Sequence, residues 1–369
     1  MKFVVFAEDW GRHPSSTQHI FKVIAKRYDV TWFNSVGMRK PKINFTDIKR
    51  VLSKVKLMMA GNVKSPGDKL PVEACNPLIF PWHDNKLATL FNKRQVAKTL
   101  DLSSHEPIIY WVSVPTAINM IQLRPQDRLI YYCGDDFSSL AGVDYDLVKA
   151  SEQRLIHMAH NIYVVSKVLL DKMPAHKTQM LEHGVDYDLF CDMTKPHMHL
   201  HNLSNVVGFY GSISQWLDVD LLIKLAKARP HYHLVLIGKA DIDISALVAL
   251  PNVIYISQIA HHQLASFSQH WQVSLLPFLD NGQIKACNPL KLKEYLAAGK
   301  PIVSTHFPAV ERYKDMVLIA RDHAGFIARV DHAMVISKSP FLDWKTPSKQ
   351  HVVRHSWQQK AAFVLEQLD

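Results

Sequence analysis

Short apolar runs alternate along this chain with longer segments of helical period, and that alternation restricts the fold more than any other feature. Strands separated by helices pair in parallel, so the pattern implies βα units. In the first half the runs are 3–7, 30–34, 108–112, 129–133 and 162–165. A fresh start at NVVGFYG (205–211) is followed by runs at 233–237, 253–256, 273–276, 302–304 and 317–319. Between the halves, CDMTKPHMHLHNLS is polar and without periodicity, as a linker is. The expected fold class is therefore α/β, with two Rossmann-like doubly wound domains, residues 1–190 and 205–345, joined by a linker at 191–204. A length of 369 residues is enough for two such cores. Open α/β sheets bind ligands beyond the carboxyl ends of their strands, so the chemistry is expected in a cleft between the domains.

Several classes drop out. There is no fixed-period repeat, and no stretch approaches the roughly 18–20 apolar residues of a membrane-spanning helix. MKFVVFAEDW carries too short an apolar run for a signal peptide and turns acidic at once, so it reads as the first strand of a cytosolic protein. Cys75, Cys133, Cys191 and Cys287 are scattered without CxxC spacing, which indicates neither a disulfide framework nor a zinc site. The histidines are dispersed too. His261-His262 and the group His197, His199 and His201 lie in loop-like sequence and read as surface or capping residues.

Charge is unevenly distributed. Between Lys22 and Lys98 sixteen basic residues face five acids, so nearly all of the net +10 sits there. Such a concentration points to an anionic partner. In DIKRVLSKVKLMMA, read as a helix, Ile48, Val51, Leu52, Val55 and Met59 share one face, with Lys49, Arg50, Lys54 and Lys56 on the flanks and back. A helix of that kind suits the headgroup region of an anionic leaflet, so residues 39–69 are expected to touch a membrane surface. It also suits a helix packed on its own domain with a solvated basic face. Nucleic acid is not expected, because no recognition motif is present and the aromatics are not interleaved with the charges.

The stretch NPLKLKEYLAAGKPIVST, 288–305, is the most informative. Asn288 suits an N-cap, Pro289 the first turn and Gly299 the residue after a helix. Lys291 and Glu294 stand three apart on one face. The open N–H groups around Asn288, Pro289 and Leu290, with the Lys291 ammonium, suit a diphosphate. A carboxylate one turn deeper suits the paired hydroxyls of a ribose, which donate hydrogen bonds. A surface ion pair on a capped helix has the same spacing.

This stretch resembles the nucleotide-binding motif of GT-B glycosyltransferases, in particular family 4 and its bacterial exopolysaccharide and teichuronic-acid relatives. Other segments extend the resemblance over essentially the whole chain: FAEDWGRHPSSTQHIF, YYCGDDFSSLAG with Glu152 and VVSKVLLDKM, HGVDYDLF, VVGFYGSISQWLDVDLL and SWQQKAAFVLEQL. The resemblance implies a C-terminal segment, 346–369, that crosses back to the N-terminal domain, and a nucleotide-sugar site in the C-terminal domain. By its motif Glu294 would bind the ribose, Lys291 the phosphates, and the Gly211–Ser212 turn would approach the diphosphate. Two positions depart from the pattern. Ala286 stands where the family has a second glutamate, eight residues before the first. GSISQWLD also lacks the usual lysine, so Lys285 or Lys291 would have to supply more of the phosphate-facing charge.

Asp135 and Asp136 follow the strand RLIYYCG directly, and adjacent carboxylates raise one another's pKa, as a general base requires. One of them can instead cap a helix beginning near Ser138. Arg12, Ser16 and His19 follow the first strand and are candidates for acceptor contact. Asp241-Ile242-Asp243 spells a DxD metal motif, but Asp243 opens a helix and reads as its cap; no metal or other cofactor is expected. The expectation is a transferase moving a sugar from a nucleoside diphosphate, UDP favoured over GDP, to a glycan or lipid-linked acceptor in bacterial surface polysaccharide synthesis. It would lie on the cytoplasmic face of the cell membrane. A sugar-nucleotide 2-epimerase of the same architecture, or a non-catalytic member of a polysaccharide-assembly complex, are the alternatives.

Overall fold

The computed structural model describes residues 1–11, 15–34, 72–80, 85–100, 102–140, 143–339 and 343–368. The basic segment 39–69 lies outside them, as does Arg12. The chain divides into two compact units, Met1–Leu181 with Val364–Asp369, and Glu182–Phe363.

The first unit is built on a seven-stranded sheet of β1 (Lys2–Phe6), β2 (Asp29–Phe33), β3 (Glu73–Cys75), β4 (Ile108–Val112), β5 (Arg128–Cys133), β6 (Asn161–Val164) and β7 (Thr178–Met180). Its order is β3-β2-β1-β4-β5-β6-β7, every pair parallel. The central strands are apolar on both faces because helices cover both, so β4 is buried throughout as IIYWV. Aromatic rings tie helix to sheet. Phe21, on the helix Ser16–Ile24, meets Phe3 and Trp111 edge to face at 5.5 and 5.4 Å, and Trp111 stacks on Tyr132 at 5.3 Å.

The second unit repeats the plan with β8 (Val206–Tyr210), β9 (His233–Ile237), β10 (Val253–Ile256), β11 (Val273–Leu276), β12 (Ile302–Thr305) and β13 (Leu318–Ala320). Its six strands are parallel in the order β10-β9-β8-β11-β12-β13. The order reverses direction at β8/β11, as it does at β1/β4 in the first unit; such switch points are where ligands of doubly wound sheets sit. The core packs Trp271 directly over Gly208, where an added Cβ would stand 1.9 Å from the indole. Only a glycine lets β8 accept that ring. Among the described residues no helix is long and apolar enough to cross a membrane.

All the strands read from the apolar runs are present. Two that were not read, Glu73–Cys75 and Thr178–Met180, are three-residue edges of the first sheet. No helix begins near Ser138; Asp136 opens a turn there, and the next helix is Tyr145–Met158.

Candidate functional site

In the second unit the feature that gathers a site is the close approach of the chain after β8 to the helix Leu290–Ala298. Gly211 leaves β8 at φ 131°, a conformation that favours glycine. A Cβ there would lie 2.7 Å from Lys291 Cε and 3.0 Å from its Nζ. Gly238, after β9, has φ 148°, and a Cβ on it would come within 2.0 Å of the Gly211 carbonyl oxygen. Two glycines thus let two strand ends and one lysine converge. The Lys291 ammonium stands 5.4 Å from the Phe209 ring centroid and 5.3 Å from that of Phe278, within cation–π range of both. Burial pulls its pKa down while Cys287 and Glu294 hold it up. Among the described residues no carboxylate pairs with it within 4.0 Å. A half-buried cation in a phenylalanine cage, next to a side-chain-free turn, is arranged for an anion from outside.

One turn further on, Glu294 is 7% exposed. Its Oε1 lies 2.8 Å from His261 Nε2. Burial opposes ionisation, but His261, the Tyr210 hydroxyl and Lys291 outweigh it and hold the carboxyl below its ordinary range. The group is a charged acceptor in a nearly dry setting, where each further hydrogen bond is charge-assisted. The helix that presents it ends at Gly299, φ 72°, whose amide closes on the Tyr295 and Leu296 carbonyls. Its start differs from expectation. Pro289, extended at φ −71° and ψ 124°, is the N-cap, no side chain caps the helix, and Asn288 is buried one residue earlier. The first amides of the helix have no intrahelical acceptor. Ser212 is exposed beside Gly211, and Lys285 is turned to Asp280 at 3.2 Å, in solvent.

In the first unit, acids gather at the ends of β1 and β5. Asp135 and Asp136 do not behave alike. The adjacency of two carboxylates was expected to raise both, yet Asp136 is held low. Its partial burial is outweighed by Lys172 Nζ at 2.5 Å and by the Ser138 hydroxyl at 2.6 Å. The pKa of Asp135 is raised to about 6, first by loss of water around its carboxyl and then by the like charges of Glu8 and Asp136. Glu8 itself accepts from the Ser15 hydroxyl and from Gln18 Nε2 at 3.3 Å, and burial raises it. Ser15 also caps the helix Ser16–Ile24 by accepting from the Gln18 amide. Ser16 and His19 lie on that helix and are buried, at 4% and 9% exposure.

Residues 204–334, most of the second unit, match the family described as Glycosyl transferases group 1. Over 252 residues the chain is 26% identical to the protein named "Putative teichuronic acid biosynthesis glycosyltransferase TuaH" of Bacillus subtilis (strain 168). That match covers 63% of this chain and 62% of the relative, so it spans less than two thirds of the relative's length. Among solved structures, sucrose-phosphate synthase from Thermosynechococcus elongatus superposes with a TM-score of 0.72 at 13% identity, over 100% of this chain and 98% of that one. Anabaena Alr3699/HepE in complex with UDP and glucose gives 0.66 at 13% identity, over 100% and 99%. The chain has the GT-B fold, and residues 204–334 of its second unit are similar to the group 1 glycosyltransferases.

Two further residues of this GT-B chain stand in the sites: His261, read from the sequence as a surface or capping residue but partly buried against Glu294, and Glu8, which the sequence did not single out. His261 reaches Glu294 from the loop after β10, 33 positions away, and nothing local announces such a contact. Glu8 was legible by the argument that selected Asp135, since it too follows a strand directly. In the DxD stretch the N-cap of the short helix Ser245–Val248 is Ile244 rather than Asp243; Asp243 accepts from the Ser245 amide at 2.9 Å, and Asp241 pairs with Lys239. Glu152 is a core residue that accepts from the Tyr131 hydroxyl at 2.7 Å.

Proposed function

We propose that this chain is a glycosyltransferase that takes a sugar from a nucleoside diphosphate, UDP in preference to GDP, and passes it to a glycan or lipid-linked acceptor in bacterial surface polysaccharide synthesis. The observation that carries the reading is the pairing of the caged Lys291 with the buried, ionised Glu294 across one helical turn, beside the Gly211 turn. Lys291, the open amides at the start of its helix and the Gly211–Ser212 backbone would hold the diphosphate. Glu294 would accept from the ribose. The leaving diphosphate is then stabilised by a fixed ammonium and peptide dipoles, which is electrostatic catalysis that asks for no resident metal. UDP is favoured because the Anabaena structure was obtained with UDP and glucose. The relative's association with teichuronic acid supports a surface-polysaccharide acceptor.

Asp135 is the proposed base for an inverting transfer, because it alone of the pair is both unpartnered by a cation and raised toward the working pH. Calorimetric titration with UDP, GDP, ADP and CMP tests the donor site. One nucleoside diphosphate is expected to bind selectively, and Glu294→Ala to weaken it by about tenfold or more, the worth of a charge-assisted hydrogen bond. No binding of any of the four would remove the reading. Residues 39–69 are the proposed contact with an anionic cytoplasmic leaflet. Sedimentation with phosphatidylglycerol vesicles should carry the protein down at low salt and release it as salt rises. A chain that stays in solution at low salt would confine it to soluble acceptors.

A further inference from the structure

The Glu294 carboxylate is not simply an acceptor waiting for a ligand. One of its two oxygens is already engaged by His261, 2.8 Å away, and the imidazole is in turn set edge-on to the Phe190 ring at 5.5 Å. Phe190 lies 6.3 Å from Tyr210, and Tyr210 meets Tyr295 at 4.8 Å. The Tyr295 hydroxyl accepts from the Tyr210 amide at 3.1 Å, which ties the helix bearing Glu294 to the end of β8. His261 therefore sits on a rigid aromatic wall and holds one oxygen of a carboxylate that is itself 7% exposed. A glutamate carboxylate with three rotatable bonds and no fixed donor would lose entropy on capturing a diol, whereas one pinned through a single oxygen has paid that cost beforehand.

Resting on the donor-site reading above, we propose that His261 is a positioning residue that makes the site selective for a nucleoside diphosphate bearing both ribose hydroxyls. With Oε1 held by the imidazole, Glu294 turns Oε2 toward the ribose in one orientation. The hydroxyls donate to that oxygen, and the site discriminates against a sugar that cannot. Without His261 the carboxylate can swing between rotamers, and its preference for a ribose over a deoxygenated one is weakened. The diphosphate contacts through Lys291 are left in place. The signature is thus a loss of selectivity, larger than the loss of affinity for the diphosphate itself.

The test measures binding of UDP and of 2′,3′-dideoxyuridine 5′-diphosphate to the full chain, its His261→Ala and His261→Asn variants, and Glu294→Gln. The wild type is expected to prefer UDP by about a hundredfold, since two hydrogen bonds to a charged group are at stake. His261→Ala should reduce that preference by about tenfold, with dideoxy-UDP affinity nearly unchanged, and His261→Asn, which keeps a donor, should restore part of it. Glu294→Gln should abolish most of the preference. A ratio in His261→Ala equal to that of the wild type would overturn the assignment while leaving the donor site standing. A wild type that binds UDP and dideoxy-UDP equally would also overturn it, by taking Glu294 off the ribose. Failure of the wild type to bind either nucleotide would bring down the donor-site reading itself. Because the readout is a ratio between two ligands on one protein, a general loss of folded material in His261→Ala does not imitate the expected result, and His261→Asn supplies the same comparison with less packing lost.

Discussion

Asp135 and Asp136 show how far apart two adjacent carboxylates can be set by what touches them. Asp136 is neutralised by Lys172 and bonded to the Ser138 hydroxyl, so it stays ionised and serves the turn. Desolvation, and after it the like charges of Glu8 and Asp136, lifts the pKa of Asp135 to about 6. If Asp135 is the base, it must be deprotonated to work, so kcat/KM should fall as pH drops through about 6, the value its surroundings give it. Asp135→Asn should lower kcat by about a hundredfold or more and remove that acid limb. Asp136→Asn should cost less activity, and it should shift the limb downward because one of the like charges acting on Asp135 is gone. An unchanged limb in Asp135→Asn would transfer the role elsewhere, with Glu8 the next carboxylate to substitute.

At the scale of the element, the helix Leu290–Ala298 meets two glycines that do different work, Gly299 at its end and Gly211 beside its Lys291 side chain. At Gly299, φ 72°, an alanine would strain the backbone and crowd Lys345 Cγ at 2.5 Å, a flexible side chain that can yield. Gly299→Ala should cost about 1–2 kcal/mol of stability and leave UDP affinity unchanged. At Gly211 the added methyl would push directly on the Lys291 side chain. Gly211→Ala should therefore weaken UDP binding by about tenfold, with only a comparable loss of stability, because a charge-assisted contact of the diphosphate is displaced. Parallel titrations and thermal melts of the two variants separate these effects. The same helix shows what the sequence could and could not disclose. Its length, its glycine stop and the shared face of Lys291 and Glu294 are set by local spacing, and they were legible. Its cap was not, because whether Asn288 faces the helix or the interior depends on neighbours far along the chain. The strands Glu73–Cys75 and Thr178–Met180 escaped for a related reason: three residues at a sheet edge are too few to carry a period. His261 was invisible because its partner is brought to it only by the order of the sheet.

At the scale of the whole molecule, a buried charge cluster in the second unit carries a stability consequence of its own, apart from the basic stretch 22–98 that holds nearly all of the net +10. Glu182, 6% exposed, is in contact with Lys293, Arg312 and His355. Lys293 is wholly buried 3.8 Å from it, and that burial pushes the ammonium down to about 8. Burial and the neighbouring cations push His355 down to about 4 and His183 to about 3, from an ordinary 6.5. Glu182 is held low by the cations around it in spite of its burial. The signs agree. A histidine whose folded pKa lies below 6.5 contributes stability that is fully present above that value and is lost as pH falls toward 4; a depressed carboxyl loses its contribution as pH falls through its folded pKa. Lys293 acts in the same direction at the other end, its burial costing most below pH 8 and being relieved as pH rises above it. Stability should therefore fall from the alkaline side down to about pH 8, stay nearly level to about pH 6.5, and decline from there toward pH 4. His355→Gln, which keeps the shape but removes the proton site, should match the wild type near pH 7 and exceed it below pH 6. Glu182→Gln should cost about 3–5 kcal/mol at pH 7, because it leaves the Lys293 ammonium buried without a carboxylate. Thermal melts across that pH range decide the matter: parallel curves for wild type and His355→Gln would take His355 out of the acid-sensitive network and leave Glu182 to account for the loss.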